Sequence, residues 1–164
     1  MASFFSWLES LSFSVWLNES SSIWAFPMFL FLHTLGMSIV AGGSAVISLA
    51  LLGLWPSTPI KPLERLYPVM LAGFVVNLIT GISIFMKDAT SYGFNADFYV
   101  KMVFVISGMV LLTLMRKRVF ADPRLDSAPV SGQAKLLAWA SLFCWFAAIV
   151  AGRLIAYVGP VAGL

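Results

Sequence analysis

A chain of 164 residues that is 60% hydrophobic and only 10% charged cannot cover a water-exposed surface, since soluble domains carry about 25% charged residues. These proportions describe an integral membrane protein with room for one small bundle and no separate soluble domain. The +3 net charge gathers in loops beside apolar segments and is no nucleic-acid signal, and the lone cysteine, Cys144, excludes an intrachain disulfide and a cysteine-ligated zinc or iron–sulfur centre.

Residues 1–20 are expected to form an amphipathic helix lying in the membrane interface. Phe4, Leu8, Leu11 and Val15 share one helical face, flanked by Phe5, Trp7 and Trp16, with Ser6, Glu9 and Ser10 opposite. A tryptophan-bearing apolar face of this kind suits the headgroup boundary. The segment has no basic n-region and is interrupted by glutamates and serines, so it does not read as a signal peptide.

Residues 21–164 are expected to form an all-α bundle of four transmembrane helices. The spans are read at about residues 23–54, 66–86, 98–114 and 136–158, where roughly 20 apolar residues cross a bilayer and the first is long enough to tilt or to project beyond the hydrocarbon. Pro27 suits the first turn of the first span. Gly159-Pro160 is expected to stop the fourth.

Loop charge supplies an orientation. The loop after the first span carries Lys61 and Arg65, and the loop after the third carries Arg116, Lys117, Arg118, Arg124 and Lys135. The positive-inside rule makes these two loops cytoplasmic and puts both termini outside. A multi-pass protein of the bacterial inner membrane with periplasmic termini follows as the expectation.

That orientation gives each embedded polar residue a depth. His33, the only histidine, lies roughly 15 Å into the first span at 1.5 Å per residue. Asn77 and Thr80 fall in the outer half of the second span, Lys101 in the first turn of the third, and Arg153 about five residues from the outer end of the fourth. The inner halves are nearly pure hydrocarbon. Polar groups on all four helices at one level point to a single site, because ionisable residues within a bilayer are costly and usually functional.

Other roles remain open to each. His33 can donate to a backbone carbonyl or pair with Asn77, and an imidazole can also hold iron or copper. Lys101 can snorkel to the headgroups. Arg153 has no acidic partner within the spans, which leaves Asp88 or Asp97 of the outer loop or a bound anionic group. Glycine rows at Gly36 and Gly43, at Gly73 and Gly81, and at Gly108 allow close helix approach or leave space for a flat cofactor. Met37, one turn from His33, keeps a copper site in view.

Leu32-His33-Thr34-Leu35-Gly36 followed by Ala41-Gly42-Gly43, and Phe98-Tyr99-Val100-Lys101-Met102 opening the third span, resemble the first and third helices of the CopD-like and HemJ-like four-helix membrane proteins. An end such as Ala151 to Tyr157 also occurs in a related group of bacterial membrane proteins. In HemJ-type protoporphyrinogen oxidases the matching histidine and lysine are implicated in binding a b-type haem. The resemblance therefore implies haem b with His33 as an axial iron ligand. Lys101 in neutral form, a methionine, water or a second subunit's histidine would supply the other ligand. Arg153 and Lys87 would hold the propionates, and Asn77 would complete the site.

The implied role is electron transfer, either as an oxidoreductase or as a redox subunit, with a quinone or periplasmic redox partner. The sole histidine excludes bis-histidine ligation within one chain, and polar residues for porphyrinogen oxidation beyond His33 and Lys101 are missing. Two other functions compete. One is an accessory or scaffold subunit, or a homo-oligomer, without cofactor. The other is a metal or small-anion transporter, which the apolar inner halves disfavour.

Overall fold

The computed structural model describes residues 2–155 and residue 157, and these form helices and connecting turns. Two short helices, α1 (Ala2–Glu9) and α2 (Ser12–Glu19), precede α3 (Phe26–Leu51). A 3₁₀ turn (Lys61–Arg65) leads into α4 (Leu66–Lys87), followed by the single turn α5 (Ala89–Gly93), α6 (Ala96–Arg118) and α7 (Gly132–Leu154). Four helices, with the 3₁₀ turn counted into the second, are long and apolar enough to cross a membrane.

Local chemistry sets the helix ends. Pro27 occupies the first turn of α3, where its missing N–H leaves no bond unmade. At the other end Gly53 adopts φ 89°. The Leu54 N–H donates to the Leu49 carbonyl and the Gly53 N–H to the Ala50 carbonyl, each at 3.0 Å. This paired closure needs a residue at positive φ, which glycine adopts without strain. The span predicted to reach residue 54 therefore stops at Leu51.

The Asn95 side chain caps α6 by accepting from the Asp97 N–H at 2.8 Å. Ser131 caps α7 by accepting from the Ala134 N–H at 3.2 Å. These caps start both helices earlier than the hydropathy pattern alone indicates. The predicted stop at Gly159-Pro160 and the end of the fourth span at residue 158 lie outside the described residues.

The four long helices run alternately up and down. α3 packs on α4 and α7, and α6 on α7. Their surface distribution inverts that of a soluble bundle. Exposed positions carry large hydrophobics such as Leu78, Ile79, Val103, Ile106, Phe143 and Phe146, while small and polar residues are buried, among them Gly36, Ser44, Gly73, Asn77, Gly108, Ser141 and Ala148. Lipid is as apolar as leucine, so helices associate by close backbone approach and interhelical hydrogen bonds. Ser44 and Ser141 make one such bond, 2.8 Å long, between α3 and α7. Cys144 is a buried packing residue on α7.

Large side chains concentrate where the basic loops lie. Ile47, Leu51, Met115 and Phe120 are fully buried there, and the Tyr67 and Phe120 rings meet edge-on at 5.4 Å. Asp126 ties the two loops together by accepting from the Ile60 N–H at 2.6 Å and the Lys61 N–H at 3.1 Å.

The single interfacial helix expected over residues 1–20 is instead two helices. The Ser10 hydroxyl donates to the Trp7 carbonyl at 2.7 Å, and Leu11 is extended. Serine competes in this way with continued helix. The pair folds against the opposite end of the bundle, where Glu9 accepts from the Thr90 N–H at 2.7 Å and the Thr90 hydroxyl at 3.1 Å. Leu17 is buried, whereas Phe4, Trp7, Phe13 and Trp16 are exposed. Phe5 instead packs edge-on against Phe85 and Phe94.

Candidate functional site

The polar residues of the terminal end converge on His33. One turn further along, α3 and α4 cross through glycines in close contact. A Cβ at Gly36 would stand 2.6 Å from the Gly73 carbonyl oxygen and 2.8 Å from the Asn77 nitrogen. Nothing larger than glycine keeps this separation, and the crossing sets Asn77 beside the helix that carries His33. The Asn77 side-chain amide donates to the His33 carbonyl at 2.8 Å. The His33 Nδ1 lies 3.0 Å from the Asn77 carbonyl oxygen and 3.3 Å from the Thr80 hydroxyl.

A backbone carbonyl only accepts, so Nδ1 carries the proton and Nε2 the lone pair. Thr80 in turn donates to the Val76 carbonyl at 2.7 Å, which leaves its oxygen lone pairs free to accept from Nδ1–H. Gly81 forms the seat of the ring, because a Cβ there would sit 3.0 Å from the imidazole Cε1.

Nε2 faces Lys101, whose Nζ is 3.5 Å away. Since α6 begins at Ala96 and not at Phe98, Lys101 occupies its second turn and points inward. Snorkelling, the better reading of this lysine in isolation, is not what the fold does with it. Its alkyl stem lies along α7, where a Cβ at Gly152 would be 3.5 Å from Cδ and Cε. Three helices therefore supply the polar groups, and α7 supplies the space for one of them.

Two expected members stand apart. Arg153 lies in the last turn of α7 as described, Gly132–Leu154. It is exposed, donates to the Tyr157 hydroxyl at 3.4 Å and stacks 5.8 Å from that ring. Lys87 pairs with Asp88 at 2.7 Å and sits 4.8 Å over the Phe26 ring. Asp88, considered as a partner for Arg153, is thus engaged by Lys87.

The glycine rows are occupied by packing. Gly36 and Gly73 meet each other, Gly43 meets Met70, and Gly108 meets the Trp145 indole. Sequence reasoning missed the roles of Gly81 and Gly152 as seats for the two side chains. Gly81 could have been found from its place one turn after Asn77, whereas nothing local marks Gly152.

No three or more His, Cys, Asp or Glu side chains cluster to hold a metal among the described residues. Neither a protein-family model, a curated protein nor a solved structure matches the chain.

Proposed function

We propose that this multi-pass membrane protein binds haem b through His33 and serves electron transfer, as a membrane oxidoreductase or a redox subunit, in the manner of the CopD-like and HemJ-like proteins that its first and third spans resemble. The observation that carries the reading is the hydrogen bond from His33 Nδ1 to the Asn77 carbonyl. An anchored Nδ1–H fixes the ring and turns the Nε2 lone pair outward, the arrangement typical of ligating histidines.

Two nitrogen donors of the chain support such a reading. His33 Nε2 and Lys101 Nζ, 3.5 Å apart, are the nitrogens that would hold the haem. A metal held by side chains alone takes three or four ligands. One imidazole and one amine therefore suit a centre whose remaining donors come with a macrocycle, and count against a bare copper or zinc ion. Bound there, haem would supply one-electron chemistry. His33 would hold the iron, Lys101 would be the second ligand in neutral form, and Asn77 and Thr80 would orient the imidazole. Lys87 and Arg153 are the basic side chains at the same end of the bundle from which propionate contacts would be drawn.

The chain is read as lying in a bacterial inner membrane with the basic loops cytoplasmic and both termini periplasmic. A quinone or a periplasmic protein is its redox partner. Fusions of a periplasm-active and a cytoplasm-active reporter to the C-terminus test the orientation, and activity of the cytoplasmic reporter would reverse it.

Protein purified in detergent from haem-replete cells should show a Soret band that sharpens on dithionite reduction and disappears in His33→Ala. Lys101→Met should retain the haem and shift its spectrum. A colourless, folded wild-type preparation would overturn the proposal.

A second reading is favoured by the His33–Asn77 contacts. The reciprocal bonds join α3 to α4 without any ligand, as in an accessory subunit or homo-oligomer whose polar set only clamps helices. Here His33→Gln should preserve assembly and no cofactor should co-purify.

A further inference from the structure

The opposite end of the bundle has an opening that the His33 site does not use. α4 and α6 flank a groove of about 690 Å³ near the basic loops, with walls formed by Tyr67, Met70 and Leu71 of α4 and by Met109, Leu112 and Arg116 of α6. Its floor is apolar over more than a helical turn, and its mouth is charged. Lys61, Arg116 and Lys117 stand there with one carboxylate, Glu64, which lies 3.4 Å from Lys61 and 4.0 Å from Arg116. Lys117 forms no ion pair among the described residues. The mouth is therefore net positive at the depth where the span ends, the level of lipid headgroups.

Tyr67 supplies an independent observation. It is only 8% exposed, and its hydroxyl is buried without a hydrogen-bond partner among the described residues. Its ring is held by the Phe120 edge on one side and the Arg116 guanidinium, 5.6 Å from the ring centroid, on another. A buried hydroxyl without a partner is rare and destabilising, and this one belongs to a side chain in the groove wall beside the cationic mouth.

We infer that the groove between α4 and α6 is a binding site for an anionic glycerophospholipid. An acyl chain would lie between the two helices against Met70, Leu71, Met109 and Leu112. The phosphate would meet Arg116 and Lys117 at the mouth, and the Tyr67 hydroxyl would donate to an ester or phosphate oxygen. The shape requires a long apolar chain, the cations select a negative headgroup, and the tyrosine supplies a donor that the protein leaves without an acceptor.

The test uses the full chain, delipidated in detergent, and compares phosphatidylglycerol with phosphatidylcholine of identical acyl chains. Native mass spectrometry counts retained lipid, and thermal unfolding measures stabilisation. Wild type should favour phosphatidylglycerol by at least about fivefold, the ratio expected of one basic residue at an anionic lipid surface, and the Arg116→Gln/Lys117→Gln double variant should bring the two lipids to parity. Tyr67→Phe should raise the melting temperature of the lipid-free protein yet lower phosphatidylglycerol retention by about threefold, as for one lost hydrogen bond.

Equal retention of the two lipids by wild type would overturn the inference, as would a preference that survives the double variant. So would inorganic phosphate stabilising the protein as well as the lipid does, or Tyr67→Phe leaving retention unchanged. The wild-type comparison stands even if a variant fails to fold.

Discussion

The two ends of the bundle solve the same problem with different materials. At the His33 end, α3 and α4 approach through Gly36 and Gly73, and paired hydrogen bonds between His33 and Asn77 join them. At the basic-loop end, bulky side chains around Phe120 and Met115 fill the interior, and α4 and α6 stand apart on either side of a groove. Close backbone approach leaves little room but satisfies polar groups between helices. At the basic-loop end α4 and α6 are not packed on each other, and the Tyr67 hydroxyl in the groove wall has no hydrogen-bond partner among the described residues. A position's neighbours thus depend on the spacing at its level, and the same α4 is closed at one end and open at the other.

The sharpest way to break the contrast is at its bulky end. Phe120→Ala should lower stability by about 3–5 kcal/mol, the range for emptying a buried aromatic site, with the loss read from equilibrium unfolding in detergent micelles. Any haem spectrum should be unchanged while the protein remains folded, since the groups around His33 come from other parts of the helices. A smaller effect, about 1–3 kcal/mol or somewhat more, is expected of Gly36→Ala, because the added Cβ meets backbone that cannot rotate away. Here the spectrum should shift together with stability, and a change in stability alone would separate the glycine crossing from the site.

Asn77→Ala removes the amide that holds the His33 carbonyl but keeps the carbonyl that accepts from Nδ1. It should lower stability by about 1 kcal/mol or less, as membrane interhelical hydrogen bonds do, and lower haem occupancy only partly. The least effect is expected for Ser44→Ala, about 0.6 kcal/mol, measured by the same unfolding. A loss of several kcal/mol there would mean that the Ser44–Ser141 bond, and not the glycine crossing, holds α3 in place.

Much of the architecture was legible from hydropathy alone. The second span, read as 66–86, is α4 at Leu66–Lys87, because a run of apolar residues bounded by charge is a local property. The ends set by caps were read less well. Asn95 and Ser131 extend α6 and α7 toward their N-termini through side-chain bonds to backbone N–H groups, and these contribute little to hydropathy. The break between α1 and α2 at Ser10 escaped notice for the same reason.

The candidate site was legible in part. A shared level for His33, Asn77 and Lys101 follows from counting residues along each span, and the fold does bring those three together. Arg153 shows where counting fails. Its direction depended on how α7 is rotated, and the helix turns it outward onto Tyr157.

What the sequence determined by itself is that four helices cross a membrane and carry their polar groups toward one end. Each span must satisfy its own backbone hydrogen bonds in lipid, so length and composition suffice to define it. What only the tertiary structure decided is which side chains meet. Lys101 faces His33 because α6 packs on α7 at Gly152, and Tyr67 borders an open groove because α4 and α6 are not packed on each other. Those outcomes depend on rotation and crossing between helices distant in sequence, and the pattern within any one helix leaves both undetermined.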